Sequence, residues 1–144
     1  MDDIHLLKLN FNDQDYLHIQ NIRKVVFNDE LGISESKIFD EYDKTCDHFL
    51  IFYGINIIGS LRISVFGQKI KLERMAILKK YRVNHYGKKT IIQIKEYYKA
   101  LDFSEIFLDS ILSVKGFYKK CGFIEEGEIF QRVGIDHVRM SITL

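Results

Sequence analysis

Proline and tryptophan are absent from the 144 residues, and cysteine occurs only twice. Cys46 and Cys121 lie far apart with no C-x-x-C partner, which argues against structural zinc and favours a reducing, cytoplasmic location. The apolar runs stay far below the roughly 20 residues that cross a bilayer. The acidic start of the chain lacks the basic and apolar regions of a signal peptide. We therefore expect a cytoplasmic protein without a metal site or a membrane segment.

An excess of charge of one sign is also missing, as are the two common phosphate motifs. The 21 basic residues nearly balance the 20 acidic ones, for a net charge of +1, which argues against a general nucleic-acid binder. The sequence contains no GxxxxGK[ST] and no GxGxxG. P-loop chemistry and a Rossmann dinucleotide fingerprint are therefore excluded at the level of motifs.

The remaining composition is that of one folded domain. Hydrophobic residues make up 47% and charged residues 28% of the chain, a balance typical of globular proteins. No linker, repeat or low-complexity tract divides the sequence, so residues 1–144 are interpreted as a single domain. The oligomeric state is left open between a monomer and a homodimer.

Hydrophobic periodicity predicts the element order α-βββ-α-β-α-ββ. The predicted helices cover about 13–28, the segment from the end of the 79–89 loop to about 101, and 114–120. The predicted strands cover 48–53, 57–66, 69–78, 105–111, 123–130 and 136–143. A strand–helix–strand crossover among antiparallel strands implies a mixed α/β sheet. The polar segment 30–47 is expected to be a loop with at most one short helix. Its acidic run 40–43 either attracts a cationic amine or is simply a solvated loop.

A basic loop between the third strand and the central helix is the most informative stretch. It has the sequence KKYRVNHYGKK over 79–89. A helix start after such a loop binds anions, because its free N–H groups point outward and the helix dipole adds positive charge. Gly87 lets the backbone approach a phosphate closely, and Arg82, Lys88 and Lys89 supply cations. On these features alone, a phosphate site and a solvated basic helix start are equally good interpretations.

These motifs resemble those of the GNAT superfamily of acyl-CoA-dependent N-acyltransferases. The family's pyrophosphate loop, [RQ]-x-x-G-x-[GA], corresponds to RVNHYG at 82–87, and its Tyr before a Gly-Phe corresponds to FYKKCGF at 117–123. The patterns RKVVF at 23–27, Glu30, DEYD at 40–43 and GIDHVRM at 134–140 are similar to those of the small bacterial ElaA-like branch. Two positions depart from the family: His85 replaces the first loop glycine, and Ile111 replaces an Asn that contacts the cofactor in many relatives.

The resemblance implies direct transfer of an acetyl group from acetyl-CoA to an amine of a small molecule or peptide, with the acceptor unidentified. In this fold the pantetheine arm lies between two splayed parallel strands, here those through Met75 and Leu108, and pairs with the backbone like an added strand. Because Ile111 has no side-chain amide, this contact with the cofactor is either lost or moved to Ser110 or Ser113. The expected cofactor-binding residues are Met75, Ala76, Ile77, Arg82, Val83, Asn84, His85, Tyr86, Gly87, Lys88, Ser110, Ser113 and Tyr118.

Tyr118 and His137 are candidates for proton transfer. Tyr118 matches the motif position of the group that protonates the departing thiolate, and its alternative role is that of a half-buried packing tyrosine. His137 is the second candidate for general base, because an imidazole exchanges a proton near neutral pH. Its alternative role is structural, holding the turn at Gly134.

Glu73 is the first candidate for general base, directly or through a water. Strand alternation predicts that it shares a face with Met75 and Ile77, beside the expected acyl site. The alternative is an ion pair with Arg62 or Lys71.

Two other functions stay open on the sequence alone. A non-catalytic acyl-CoA-binding or regulatory domain is the first, because His85 and Ile111 weaken the cofactor signature. A synthase of the N-acyl-homoserine-lactone type is the second, because that family shares an Arg-x-x-Val-Phe-like N-terminal pattern. The synthases are longer and use an acyl-carrier protein, so this function ranks last.

Overall fold

A computed structural model describes residues 3–144 as one seven-stranded sheet with helices packed on it. The strands are β1 (Ile4–Leu9), β2 (Asp47–Tyr53), β3 (Asn56–Phe66), β4 (Lys69–Ile77), β5 (Glu105–Ile111), β6 (Ile124–Arg132) and β7 (Ile135–Thr143). The α-helices are α1 (Tyr16–Arg23), α2 (Glu35–Ile38), α3 (Tyr86–Ala100) and α4 (Lys115–Lys120). Helix α1 continues in wider π-helical turns over Lys24–Glu30, and short 3₁₀ turns cover Glu41–Lys44, Lys79–Tyr81 and Leu112–Val114. Within the described residues, every helix is too short or too polar to cross a membrane.

The sheet order is β1-β2-β3-β4-β5-β7-β6, and every neighbouring pair is antiparallel except β4 and β5. The predicted mixed α/β sheet is therefore confirmed. The parallel pairing covers Lys69–Leu72 of β4 against Glu105–Leu108 of β5. Both strands continue past this stretch without pairing to each other, to Ile77 and Ile111. The sheet is thus open between the ends of its two central strands.

Helices α1 and α3 cover opposite faces of the sheet. Ile91 and Ile94 of α3 belong to the main core cluster, and Ile19 of α1 belongs to a second cluster. On β2, Ile51 lies in the main cluster and its neighbour Leu50 in the second. Because successive residues of a strand point to opposite faces, the two helices must lie on the two sides of the sheet.

Strand β1 is an element that the predicted order omitted. It pairs antiparallel with β2 at the edge of the sheet. Of its six residues only Ile4 and Leu9 are buried, so its sequence IHLLKL has no period-2 pattern to detect. The strand is defined by its pairing with β2, which lies about 40 to 50 residues away in sequence.

A β-bulge near the end of β4 changes the direction of its side chains. Arg62 of β3 pairs with Glu73 and Ser60 pairs with Ala76, so one residue of β3 faces two of β4. Arg74 takes the extra position with a φ of 52°, a left-handed conformation that costs about 1–3 kcal/mol for a residue other than glycine.

The bulge overturns one expectation about Glu73. Met75 and Ile77 pack with the main core cluster on the α3 side, together with the earlier residue Leu72. Glu73 faces the α1 side, beside Arg62. The prediction that Glu73 shares a face with Met75 and Ile77 was wrong, because strict alternation does not hold across a bulge.

Candidate active site

Two cavities meet where β4 and β5 diverge. The larger, of about 610 Å³, is lined by the 82–88 loop and α4, and we name it the loop cavity. The smaller, of about 190 Å³, is lined by several ionised side chains, and we name it the charged cavity. The residues that line both are Phe27, Met75, Ile111, Val114 and Tyr118. The two cavities are therefore continuous at the opening in the sheet.

The loop cavity presents the start of α3 to an anion. Helix α3 begins at Tyr86, and the preceding residue, His85, makes no side-chain hydrogen bond to the first turn. The N–H groups of this turn are thus left for a ligand. Val83, Gly87 and Lys88 line the cavity. Two of the predicted loop residues do not line it: Asn84 is exposed, and Tyr86 is buried against Tyr53 with ring centroids 4.8 Å apart.

His85 adopts the backbone conformation that explains why the family has glycine here. Its φ is 61° and its ψ 20°, in the left-handed region that favours glycine. The side chain is exposed and lines the loop cavity. The substitution of histidine for glycine therefore keeps the turn at the cost of about 1–2 kcal/mol of backbone strain.

Gly87 is required by side-chain packing. A Cβ atom at this position would lie 2.9 Å from Cζ of Phe117 and 3.5 Å from Cδ1 of Ile77. The first distance is too short for carbon atoms in contact. The glycine therefore allows α3 to pack closely on α4, whatever it also does for a phosphate.

Arg82 joins three parts of the site. Its Nε donates to the carbonyl oxygen of Ile77 at 2.8 Å, and its Nη2 lies 2.8 Å from a carboxylate oxygen of Glu30. The guanidinium is thus engaged with the end of β4 and with the extension of α1. Its side chain serves to position the loop.

Met75, Ala76 and Ile77 line the loop cavity along the open edge of β4. Ser110 and Ser113 do not join them. Ser110 is buried and donates from Oγ to the carbonyl oxygen of Ile111 at 2.8 Å. It lines the charged cavity but not the loop cavity. Ser113 is exposed and is absent from the lining of both cavities.

Tyr118 lies at the junction of the two cavities. Its hydroxyl is 3.9 Å from Sδ of Met75, and its ring packs edge-on against Phe117 and Phe123. Burial raises the pKa of this phenol, so it keeps its proton at neutral pH. The residue is both a packing tyrosine and a protonated hydroxyl at the junction of the two cavities.

Glu73 is engaged by its neighbours. Its Oε1 accepts a hydrogen bond from Ser64 at 2.6 Å, and its Oε2 accepts one from Arg62 at 3.0 Å. Burial alone would raise the pKa of Glu73, but the bond from Ser64 and the charges of Arg62 and Lys71 outweigh burial and lower it. The ion pair expected as the alternative is present, and a carboxylate held in this way accepts protons poorly.

His137 borders the charged cavity from β7, opposite Ile111 of β5. Its Nδ1 lies 2.7 Å from the carbonyl oxygen of Ile135, and its ring stacks on Phe130. Because a carbonyl oxygen only accepts, Nδ1 carries the proton of the neutral ring and Nε2 has a free lone pair. Nε2 has no hydrogen-bond partner within residues 3–144. The structural role at the turn and a role in proton transfer are therefore compatible.

The two aspartates of the acidic run 40–43 are paired with arginines of the protein. The side chain of Asp43 is only 2% exposed and accepts hydrogen bonds from Arg23 at 2.9 Å and Arg62 at 3.0 Å. Asp40 is paired with Arg62 and with Arg74, the latter at 3.2 Å. Asp40 and Asp43 thus belong to an ionic network that holds the bulge of β4, whereas Glu41 of the same run is exposed.

Asp109 is a site residue that the sequence did not reveal. It accepts hydrogen bonds from Arg139 and Arg132, both at 2.9 Å, and lies 3.1 Å from Nζ of Lys71. Burial alone would raise the pKa of Asp109, but the hydrogen bonds and charges of Arg139 and Lys71 hold it far below its usual range. A charged residue inside the apolar strand sequence EIFLDSI was the available signal.

Comparison with known proteins identifies the class of protein. The acetyltransferase (GNAT) domain family matches residues 33–144, so the chain belongs to this family and is an acyltransferase. A Bacillus subtilis (strain 168) protein that carries a provisional acetyltransferase name is 35% identical over 133 residues, which cover 90% of each chain. The resemblance drawn from the sequence motifs is confirmed.

Solved structures share the fold at low sequence identity. A provisionally named N-acetyltransferase from Lactobacillus plantarum superposes with a TM-score of 0.90 at 20% identity and 99% coverage of both chains. Escherichia coli ElaA gives 0.81 at 19% identity, with 96% of this chain and 98% of ElaA covered. A GNAT family acetyltransferase from Elizabethkingia anophelis with acetyl-CoA bound gives 0.75 at 16% identity over the whole of both chains.

Proposed function

We propose that this protein transfers the acetyl group of acetyl-CoA directly to an amine. The observation that carries the proposal is the junction of the loop cavity and the charged cavity at Met75, Ile111 and Tyr118. A thioester reaching the junction from the loop cavity meets an amine reaching it from the charged cavity. The family supports the reaction class, and the acetyl-CoA in a structure of similar fold supports the cosubstrate.

Acetyl-CoA fits the loop cavity by the chemistry of its lining. The pyrophosphate would lie at the free N–H groups of the first turn of α3, beside Lys88. The pantetheine amides would pair with the unpaired edge of β4 between Met75 and Ile77, as a strand adds to a sheet. The thioester then ends near Tyr118.

The proposed reaction needs two proton transfers. The neutral amine nitrogen attacks the thioester carbonyl carbon, the C–S bond breaks, and the thiolate takes a proton from the Tyr118 hydroxyl. The nitrogen loses a proton to a base. We assign this role to Nε2 of His137, directly or through a water, because its lone pair is free whereas both oxygens of Glu73 are engaged.

Initial-rate kinetics test the proposal. The protein is assayed with acetyl-CoA and a panel of amines, and release of the CoA thiol is followed. Direct transfer predicts intersecting double-reciprocal lines, since both substrates must be bound together. Parallel lines would indicate an acetyl-enzyme and contradict direct transfer. Thermal stabilisation by acetyl-CoA without turnover on any amine would favour the non-catalytic acyl-CoA-binding alternative.

A further inference from the structure

We infer that the acceptor amine carries an anionic group, a carboxylate or a phosphate, which the charged cavity recognises. The inference rests on the proposed acetyl transfer, because it specifies the acceptor of that reaction. The first argument is the charge of the lining. Four cationic side chains line the charged cavity against two carboxylates, and these residues are Lys37, Lys71, Arg74, Arg132, Glu73 and Asp109.

The two carboxylates of the lining are already neutralised by the protein. Asp109 accepts hydrogen bonds from Arg132 and Arg139 and pairs with Lys71. Glu73 accepts hydrogen bonds from Arg62 and Ser64. Each of these four carboxylate oxygens already accepts a hydrogen bond from the protein, so the second ammonium group of a polycationic amine would meet no uncompensated carboxylate in the lining.

Two cationic side chains of the lining keep hydrogen-bond donors that the described residues do not use. The ammonium group of Lys37 makes no ion pair or hydrogen bond within the described part of the chain. Arg74 donates from Nε to the carbonyl oxygen of Ile38 and from Nη2 to Asp40, which leaves Nη1 unpaired. Nη1 is also not among the buried polar atoms without a partner, so it remains accessible. An anionic group in the cavity would find these two donors.

The backbone conformation of Arg74 supports a functional role for its guanidinium group in the charged cavity. The residue holds a left-handed φ of 52° at the bulge, and Asp40 and the Ile38 carbonyl fix its guanidinium from outside the strand. The cavity volume of about 190 Å³ suits a small amine of this kind. A strained residue held by two other elements is typical of a functional position.

Matched acceptor pairs test the inference. β-Alanine is compared with β-alaninamide, and O-phosphoethanolamine with ethanolamine, with spermidine as a cationic acceptor. Rates are expressed per concentration of free amine, because an anionic group changes the amine's protonation. We expect kcat/KM to be at least tenfold higher for one anionic member over its neutral partner, and the preference to shrink at high salt. The pair that shows it distinguishes a carboxylate from a phosphate.

Binding provides a readout independent of turnover. The protein loaded with CoA is titrated with N-acetyl-β-alanine and N-acetyl-β-alaninamide, and with the N-acetyl derivatives of the second pair. In addition, Lys37→Glu is compared with Lys99→Glu, an exposed lysine at the far end of α3 that lines neither cavity. We expect Lys37→Glu to reduce the preference for the anionic over the neutral member of a pair several-fold. Lys99→Glu should leave this preference unchanged.

The outcomes separate this inference from the proposed function. Acetyl transfer with equal or better rates on the neutral or cationic members overturns the anionic acceptor and leaves acetyl transfer standing. Absence of transfer with preferential binding of the anionic derivatives supports the anion site and overturns acetyl transfer. Absence of transfer and of any binding preference overturns both.

Discussion

The loop cavity and the charged cavity are built in different ways. Two contiguous motifs, 82–88 and 117–123, contribute most of the polar part of the loop cavity. The charged cavity takes its ionised groups from α2, β4, β5 and β6, which are separated by tens of residues. Local turn geometry therefore determines the first, and long-range ion pairing determines the second. A cosubstrate shared across a family suits the first construction, and an acceptor particular to one protein suits the second.

The largest effect is expected from breaking the ionic network behind the charged cavity. Asp43→Asn removes the charge between Arg23 and Arg62, which are both fully buried. Arg62 keeps its pairs with Asp40 and Glu73, whereas Arg23 loses the carboxylate it is paired with. Leaving one buried cation uncompensated costs about 3–5 kcal/mol. Urea unfolding at pH 7 measures the loss, with Glu41→Gln as the control, since Glu41 is exposed in the same short turn. A loss no greater than in the control would contradict a structural role for the network.

The same carboxylate predicts a pH dependence of stability. Burial alone would raise the pKa of Asp43, but the charge of Arg23 and the hydrogen bonds to the carboxylate outweigh burial and lower it. A lowered folded-state pKa gives stability that is fully present above the unfolded value of about 3.9. This stability is lost as the pH falls through the folded value. The Asp43→Asn variant should therefore show a flatter acid limb of unfolding free energy than the parent.

Next in size are the effects at the junction of the two cavities. Tyr118→Phe keeps the ring that packs on Phe117 and removes the hydroxyl. If the hydroxyl protonates the thiolate, turnover falls on the order of 10²-fold or more, while the KM for acetyl-CoA moves little. Tyr42→Phe is the control, because Tyr42 is exposed and lines neither cavity. Normal turnover with lowered stability would leave packing as the role of Tyr118.

The proton acceptor is tested by a pair of substitutions. His137→Gln should lower turnover on the order of 10²-fold and remove the acidic limb of the rate profile, expressed per free amine. Glu73→Gln should act on stability, at about 1–3 kcal/mol, because it weakens the bonds from Arg62 and Ser64. Loss of the acidic limb in Glu73→Gln alone would return the role of base to the glutamate. If neither variant alters the profile, the amine enters neutral and the protein works by positioning.

The difference between the two cavities also explains which features of the structure could be predicted from the sequence. The strands from β2 to β7, the central helix and the 82–87 motif were predictable because they rest on local periodicity and turn residues. The bulge at Arg74 and the ion pairs of Asp43 were not predictable, because they depend on partners about 10 to 40 residues away. Single-residue chemistry therefore suggested Glu73 as a base, whereas its neighbours engage both of its oxygens.

The smallest effect, and the sharpest test of the loop cavity, is expected at His85. Its left-handed φ of 61° strains a histidine, so His85→Gly should relieve strain. We expect the unfolding free energy to rise by about 1 kcal/mol, reduced by the conformational entropy that glycine adds to the unfolded chain. Asp102→Gly is a matched control, because Asp102 has a φ of 69° just beyond the other end of α3 and lines neither cavity. Both variants should gain similar stability in urea unfolding.

Acetyl-CoA affinity then separates the two variants. If the exposed imidazole of His85 neither crowds nor binds the pyrophosphate, the Kd for acetyl-CoA stays within about threefold of the parent in both, which is under 1 kcal/mol. Tighter binding in His85→Gly alone would show that the imidazole crowds the cosubstrate. Weaker binding there alone would show that it donates to a phosphate. The direction of the change in Kd therefore shows what the histidine does at this position of the loop. The Asp102→Gly control accounts for the part of the change that comes from relieved backbone strain alone.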